Sequence, residues 1–510
     1  MNETTPTSPS PGDVSSRSRP PIAVSSTLAA LRSPRLLVTE VLAGLVTTLA
    51  LIPEVISFSV IAGVDPIVSL ISSVVLVISM SFLGGRPAMV TAAAGSIALV
   101  VGPMVKEHGV EYLLPAVVLG GVIQIAFGVM GLARLMRFIP RSVMIGFVNA
   151  LGVLIFTAQV PHVLGVPALV YPLFALTLAI VLVLPRLTTA IPAPLVAIVV
   201  VTSIAMIAHL GVPTVGDEGD ISGGLPGITP WQVPFDLATL RIIGPVALSV
   251  AFVGLMETLL TAKLVDDITD TPSAKGRESW GLGVANILAG FYGGIGGCAM
   301  IGQTVVNVRL GRARTRISTF VAGVFLLLLV TALSDVMAEI PMAALAAVMM
   351  VVAVTTVNWH SLRPSTLRRM PIPETLVMAV TIAVTVATGN LAVGVGVGVI
   401  LAMVLFARRV AHVIRVDRTE AEDGASVTYR VSGPLFFGSS NDLVEQFSYA
   451  TDPATVLVDL SDAQVWDASS VAALDSIGTK YEQHHASVTF TGLDERSTAF
   501  HSRLTGTLHD

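Results

Sequence analysis

Residues 293–307 read GGIGGCAMIGQTVVN, and residues 87–96 read PAMVTAAAGS. Both stretches are rich in small residues, come just after glycines, and are too short to cross a bilayer, which takes about 20 apolar residues. Each is therefore read as a helix that begins partway through the membrane. The start of such a half-helix carries unpaired N–H groups and roughly half a positive charge. Two of these ends facing one another make an anion site that needs no buried arginine. After Gly293 no Lys or Arg occurs until Arg309. For one segment alone, close helix packing through small residues would be the better reading. Two segments at matching places in the chain favour a binding site. Glu54 in LALIPEVISFS and Glu257 in FVGLMETLLTAK stand 203 residues apart, and so do Gly95 and Cys298. That spacing fits two inverted repeats with the substrate near the midplane.

Working outward, the whole chain has the composition of a membrane protein. Of 510 residues 53% are apolar and only 12% charged, with a mean hydropathy of +0.82. So few charges cannot cover a soluble protein of this length. A single cysteine, Cys298, excludes a disulfide framework and multi-cysteine metal sites, and the histidines show no metal-ligating spacing. The reading has no metal and no cofactor. A net charge of −5 gives no reason to expect a nucleic-acid partner. About fourteen apolar segments lie near 37–58, 66–83, 89–104, 113–133, 142–160, 169–185, 190–210, 242–262, 279–292, 298–308, 317–334, 341–358, 372–388 and 390–407. The expectation is a polytopic α-helical transport domain over 35–414, after a Ser/Thr/Pro-rich disordered tail over 1–34.

Basic residues test that count, because Lys and Arg accumulate in short cytoplasmic loops. With the N-terminus inside, nineteen fall on the cytoplasmic side: Arg86, Arg134, Arg137, Arg141, Arg186, Lys263, Lys275, Arg277, Arg309, Arg312, Arg314, Arg316, Arg363, Arg368, Arg369, Arg408, Arg409, Arg415 and Arg418. Lys106 and Arg241 are the two outside. An even number of spans in the inner membrane, with both termini cytoplasmic, is expected.

Among the candidate site residues, Glu257 stands out, since a carboxylate within a span is costly and usually functional. It is suited to carry a proton and release it during a cycle. A structural hydrogen bond to a neighbouring helix is the alternative. Glu54 follows Pro53 and serves either as an accessory group or as a helix kink. Gln303 and Thr304 offer neutral donors. The run GVGVG from Gly394 to Gly398 lacks a phosphate loop's lysine and hydroxyl and reads as helix packing. RLGRARTR reads as a positive-inside anchor.

Beyond Arg418 the pattern becomes that of a soluble domain, residues 420–510. SVTYRVSG and PLFFGSS read as strands, NDLVEQFSYA as a helix, ATVLVDLSD as a buried strand, SSVAALDSIGTKYEQ as a helix, HASVTFTGL as a strand and DERSTAFHSRL as a helix. Such alternation implies a small α/β sandwich. It shows no catalytic constellation, so regulation, folding or dimer contact is its expected role and the chain is not expected to be an enzyme.

AGLVTTLALIPEVISFSVIAGVDP, GFVNALGVLIFTAQ, METLLTAKLVDD and GGIGGCAMIGQTVVNVRLGRARTRIS together resemble the sulfate permease (SulP) family of anion transporters. The C-terminal segment resembles a STAS domain (sulfate transporter and anti-sigma factor antagonist). The resemblance implies fourteen spans as seven plus seven inverted, the uracil-permease-like architecture, with a core and a gate, elevator-like movement and often a homodimer. It places the anion between the third and tenth helix ends, here Ala94, Gly95 and Ser96 with Ala299, Met300, Ile301, Gly302 and Gln303. Glu257 matches the family's acidic position in the eighth span and Thr261 a nearby hydroxyl. Sodium-coupled members have hydroxyl ligands where Ala94 and Ile301 stand, which favours a proton over sodium. Some members carry arginine at the place of Gln303. The D-x-S-G pattern of phosphorylated STAS domains reads here Asp467-Ala468-Ser469-Ser470, so Ser469 is a weakened phosphosite candidate. The resulting expectation is a proton-coupled carrier of sulfate, bicarbonate or a dicarboxylate. A nucleobase carrier of the uracil-permease type and a membrane-anchored STAS signalling protein are the alternatives.

Overall fold

The structure, a computed structural model, describes residues 27–131, 139–187, 192–219, 227–411 and 414–505. Most of the expected tail, Arg134, Arg137 and part of the acidic loop before Leu237 lie outside the described residues; Thr27–Arg32 is a short helix.

Each expected apolar segment corresponds to an element. The first seven are α1 (Pro34–Ala62), α2 (Pro66–Leu83), strand β1 (Thr91–Ala93) leading into α3 (Gly95–His108), α4 (Leu113–Val129), α5 (Arg141–Gln159), α6 (Val170–Leu187) and α7 (Ala193–Ile207). The second seven are α8 (Leu237–Thr269), α9 (Lys275–Gly290), β2 (Gly297–Ala299) leading into α10 (Ile301–Val305), α11 (Arg316–Ala332), α12 (Met342–Thr356), α13 (Ile372–Thr388) and α14 (Leu391–Ala411). Among the described residues, seven helices are long and apolar enough to cross a membrane and four apolar ones are shorter, so helix length does not by itself count fourteen crossings. The third and tenth segments are not through-going helices. Each is an extended strand followed by a helix.

Local chemistry sets the helix ends. Pro34 stands in the first turn of α1, where its missing N–H costs nothing. Gly63, at φ 71°, closes that helix in the left-handed conformation. Asp236 caps α8 by accepting the Thr239 N–H at 2.7 Å.

In packing, α1–α4 associate with α8–α11, and α5–α7 associate with α12. Close approach in the first bundle depends on glycine. A Cβ on Gly283 would overlap the Gly121 carbonyl oxygen, and one on Gly121 would lie 2.6 Å from that of Gly283, so α4 and α9 touch backbone to backbone. Helices α1 and α11 meet in the same way where Gly44 faces the Ser318 carbonyl, and the Thr48 hydroxyl donates to the Ala322 carbonyl at 2.9 Å.

The C-terminal domain is a four-stranded sheet in the order β3 (Arg415–Glu420), β4 (Ser426–Leu435), β5 (Thr455–Val465), β6 (Ser487–Thr491). The first pair is antiparallel and the other two are parallel. Its helices are α15 (Ser440–Glu445), α16 (Ala468–Gln483) and α17 (Glu495–Leu504). Val427, Tyr429 and Val431 alternate into the core from β4, where they join Leu474, Ile477 and Tyr481 of α16. Strand β3 has no counterpart in the sequence reading because RVDRTE is exposed and mostly charged. PLFFGSS is not a separate strand: Pro434 and Leu435 end β4, and the remainder turns into α15.

Candidate functional site

Strands β1 and β2 pair antiparallel, with Thr91 opposite Ala299, Ala92 opposite Cys298 and Ala93 opposite Gly297. This ribbon exposes an inner symmetry. Ala92 and Cys298 are 206 residues apart (298 − 92), and so are the first residues of α3 and α10 (301 − 95). The spacing of 203 therefore holds for the carboxylates of α1 and α8 but not for the broken segments. Gly95 corresponds to Ile301, and Cys298 corresponds to Ala92. Because equivalent residues sit opposite one another, the local two-fold axis passes between Ala92 and Cys298.

A two-stranded ribbon inside a membrane has two open edges, and hydrocarbon cannot satisfy them. Side chains from four helices do so. Asn286 of α9 accepts the Gly297 N–H at 2.7 Å and donates back to the Gly297 carbonyl at 3.1 Å. Its amide also donates to Gln124 at 2.9 Å. Thr258 accepts the Ala299 N–H at 3.0 Å, and Thr261 donates to the Ala299 carbonyl at 3.1 Å. Ser73 accepts the Ala93 N–H at 3.1 Å. Thr304 of α10 accepts the Val90 N–H at 3.0 Å, which ties the second half-helix to the first strand.

The two half-helices leave this ribbon in succession. The Ala94 carbonyl takes the N–H groups of Ile97 and Ala98, and the Met300 carbonyl takes that of Thr304. The N–H groups of Gly95 and Ser96, and of Ile301, Gly302 and Gln303, consequently have no acceptor within their own helix. Helix α10 passes without interruption into a π-turn, Val306–Leu310.

A cavity of about 370 Å³ lies at these two ends. Ala94, Gly95 and Ser96 line it from one half-helix; Met300, Ile301, Gly302 and Gln303 line it from the other. Glu54 and Glu257 both face it. The Glu257 carboxylate accepts hydrogen bonds from the Ser96 hydroxyl and, at 3.1 Å, from the Cys298 thiol. It thereby joins α8 to α3 and β2. Glu54 has the Gln303 side chain as its hydrogen-bonding neighbour. No Lys or Arg lines the cavity among the described residues.

Two candidates stand slightly apart from it. Ala299 is fully buried in β2, and Thr261 spends its hydroxyl on the carbonyls of Glu257 and Ala299, so both hold the ribbon in place. The remaining wall was not read from the sequence: Phe58 of α1, Phe147, Leu151 and Ile155 of α5, and Val352, Thr355 and Thr356 of α12. These residues sit inside ordinary apolar helices. The two threonine hydroxyls bond back to their own helix, so nothing in their local pattern separates them from packing residues. In the C-terminal domain Ser469 is exposed in the first turn of α16, where Asp467 caps the helix by accepting the Ser470 N–H at 3.0 Å.

With this geometry in place, likeness to known proteins becomes informative. Residues 37–173 and 168–381 match the sulfate permease family, and residues 418–505 match the STAS domain. The chain belongs to the sulfate permease family. It is thus a multi-pass membrane transporter and not an enzyme. Over 465 residues it is 48% identical to "Putative sulfate transporter YbaR" of Bacillus subtilis, a match covering 91% of this chain and 96% of that one. It is 26% identical to the bicarbonate transporter BicA of Picosynechococcus, over 86% of this chain and 85% of that one. Among solved structures, the transmembrane domain of a cyanobacterial BicA superposes with a TM-score of 0.63 at 25% identity, covering 72% of this chain and 97% of that one. Murine Slc26a9, an anion transporter in its inward-facing state, superposes with a TM-score of 0.80 over 93% of this chain and 88% of that one, at 18% identity. That last likeness concerns the fold alone.

Proposed function

We propose that this family member moves a small anion across the membrane at the cavity between α3 and α10, with a proton carried on Glu257. The observation that carries the reading is the shared cavity: two half-helix starts open into it, and among the described residues no fixed cation lines it while two carboxylates do. The two helix ends together supply roughly one positive charge. An ionised Glu257 would cancel it. Protonation of Glu257 removes that opposition, so anion and proton bind best together, which is symport. Sodium finds few ligands, since Ala94 and Ile301 bring no side-chain oxygen. Sulfate and bicarbonate, named for YbaR and BicA, are the first candidates, and a small dicarboxylate is the third.

The same geometry supports an elevator-type cycle. Both half-helices belong to the bundle of α1–α4 and α8–α11, whereas Phe147 and Val352 belong to α5 and α12. Displacing one bundle along the other would carry the cavity with it. Cytoplasmic termini, a homodimer and regulation at Ser469 complete the proposal.

The test is uptake of labelled sulfate, bicarbonate and fumarate into proteoliposomes, with pH and sodium gradients imposed separately. Glu257→Gln is expected to abolish proton-driven accumulation while leaving counterflow of the anion. Full pH-dependent uptake in that variant would remove the coupling assignment, and uptake of uracil but of no anion would overturn the cargo.

A further inference from the structure

We propose that the transport domain carries a second anion site, between the guanidinium groups of Arg86 and Arg314, which takes a tetrahedral oxyanion of the phosphate or sulfate type. The site is a cavity of about 310 Å³ enclosed by residues from three places. Arg86, Pro87 and Ala88 come from the link between α2 and β1. Val265 and Thr269 come from the end of α8, and Thr271 from just beyond it. Val308 and Arg314 follow α10. It shares no lining residue with the first cavity. Along α8 it begins at Val265, eight residues beyond Glu257, or about 12 Å at 1.5 Å per residue.

Part of what the two arginines do is structural. Arg86, with a side chain only 6% exposed, pairs with Asp266 at 3.1 Å. It also donates to the Thr271 carbonyl at 2.8 Å, the Val265 carbonyl at 3.4 Å and the Thr269 hydroxyl. Arg314 donates to the Val308 and Ala313 carbonyls, each at 2.7 Å. Both therefore cap helix ends through their Nη groups. Capping does not account for the Nε–H groups, which are buried in both residues and without a protein partner. Nor does it account for two guanidinium groups lining one cavity.

The nearby acids are largely committed to other partners, with one Glu278 carboxylate oxygen left without a hydrogen bond. Asp266 is paired with Arg86. Glu278 accepts the N–H groups of Gly85 and Arg86. Glu40 accepts those of Arg314, Thr315 and Ser318 at 2.7, 3.0 and 3.3 Å. Among the described residues no carboxylate lies within ion-pair distance of the Arg314 guanidinium. A half-buried guanidinium without a contacting counter-charge is unfavourable, and planar N–H forks match the oxygens of phosphate and sulfate. One oxyanion accepting from both Nε–H groups satisfies both unpaired donors. At about 30 Å³ per water molecule, the cavity also leaves room beyond a bare oxyanion, so the group is either free or carried on a larger headgroup such as that of an anionic phospholipid.

The site is independent of which anion is transported, and its test separates the two cavities. Thermal unfolding of the purified full-length protein is measured in sodium phosphate against sodium chloride of equal ionic strength. Gly302, where an added Cβ meets nothing within 4 Å, allows Gly302→Leu to fill the first cavity. Phosphate is expected to raise the unfolding temperature of wild type and of Gly302→Leu alike. The apparent affinity should fall at least tenfold in Arg314→Gln and in Arg86→Lys; if the latter does not fold, Arg314→Gln decides. A second arm adds phosphatidic acid to phosphatidylcholine vesicles. If the phosphate effect vanishes there, the occupant is a lipid headgroup; if it persists, the free anion. Survival of the phosphate effect in the arginine variants, its loss in Gly302→Leu with both arginines present, or no effect of either source on wild type would overturn the proposal.

Discussion

Replacing Asn286 by leucine tests whether the intramembrane ribbon is held by the side chains that close its edges. Leucine shares the branched outline of asparagine, so the change leaves no cavity and acts chiefly on the polar contacts. Three hydrogen bonds disappear: Gly297 N–H to Asn286 at 2.7 Å, Asn286 to the Gly297 carbonyl at 3.1 Å, and Asn286 to Gln124 at 2.9 Å. All of these groups are buried, and no water replaces the lost partner in an apolar interior. An unmet buried group costs about 1–3 kcal/mol, whereas measured side-chain hydrogen bonds between membrane helices average about 0.6 kcal/mol and reach about 1.7. Taking about 1 kcal/mol for each of the three gives about 3 kcal/mol, or roughly a hundredfold in the folding equilibrium. Asn286→Asp keeps an acceptor for Gly297, loses at least one donated bond and must take up a proton to enter the buried position, about 2 kcal/mol in all. Ser73→Ala removes one acceptor on β1, about 1 kcal/mol. In detergent, Asn286→Leu should therefore unfold most readily, followed by Asn286→Asp, then Ser73→Ala, with wild type the most stable. Anion uptake should rank the four proteins in the same way. Wild-type stability in Asn286→Leu, or a larger loss in Ser73→Ala, would show that helix packing holds the ribbon unaided.

Two further outcomes are expected. In Gly95→Ala the new Cβ would lie 2.6 Å from the Phe58 ring, so the ring must leave its position at the cavity wall; uptake should fall several-fold, with about 1–3 kcal/mol of overpacking strain, and Phe58→Leu in the same chain should restore part of both. In the C-terminal domain, Asp452 accepts from the hydroxyls of Tyr429 at 2.5 Å and Tyr481 at 2.6 Å; burial pushes Tyr449 up to about 12, and burial together with the bond to Asp452 pushes Tyr481 up as well. Because the folded state holds these protons more tightly than the unfolded chain, their contribution to stability is complete below about pH 10; that of Tyr449 is lost as pH rises through about 12, and that of Tyr481 goes on falling above it. Alkaline unfolding of the domain in the full-length protein measures this, and Tyr481→Phe should flatten the slope.

Much of the candidate site is legible in the sequence because its signals are local. Interrupted apolar runs at 87–96 and 293–307 mark helices that begin inside the bilayer, and a carboxylate in an apolar span marks itself. The strands at those helix starts were less visible, since TAA and GCA carry no alternation and pair only through a partner some 200 residues away. The repeat offset was misread for the broken segments for a related reason. Glu54 and Glu257 set it at 203, but the stretch from Glu257 to the start of β2 is three residues longer than that from Glu54 to the start of β1 (40 against 37), and only the register of Ala92 against Cys298 reveals it. The opposite cavity wall was invisible because Phe147 and Val352 are apolar residues in apolar helices, and their role arises from which bundle they face. In the C-terminal domain β3 was missed because an exposed edge strand has no buried face to imprint a pattern.

The internal two-fold also bears on the two carboxylates. Glu54 and Glu257 occupy equivalent positions and face one cavity, yet their partners differ. Glu257 is gripped by Ser96 of α3 and Cys298 of β2, so both arms of the ribbon meet at its carboxylate. Glu54 meets Gln303, on α10 alone. On the proton-coupled reading this asymmetry divides the work. Protonating Glu257 turns an acceptor of two bonds into a group that also donates, and Ser96 and Cys298 must reorient at the very turn that offers its N–H groups to the anion. Protonating Glu54 disturbs only a neutral amide. Glu54→Gln should accordingly weaken anion affinity or rate by a few-fold and leave the pH dependence of uptake in place, whereas Glu257→Gln removes it. Uptake measured across a pH series in both variants decides the matter: pH dependence lost equally from each would mean that the two acids share one proton and that the asymmetry of their partners has no part in coupling.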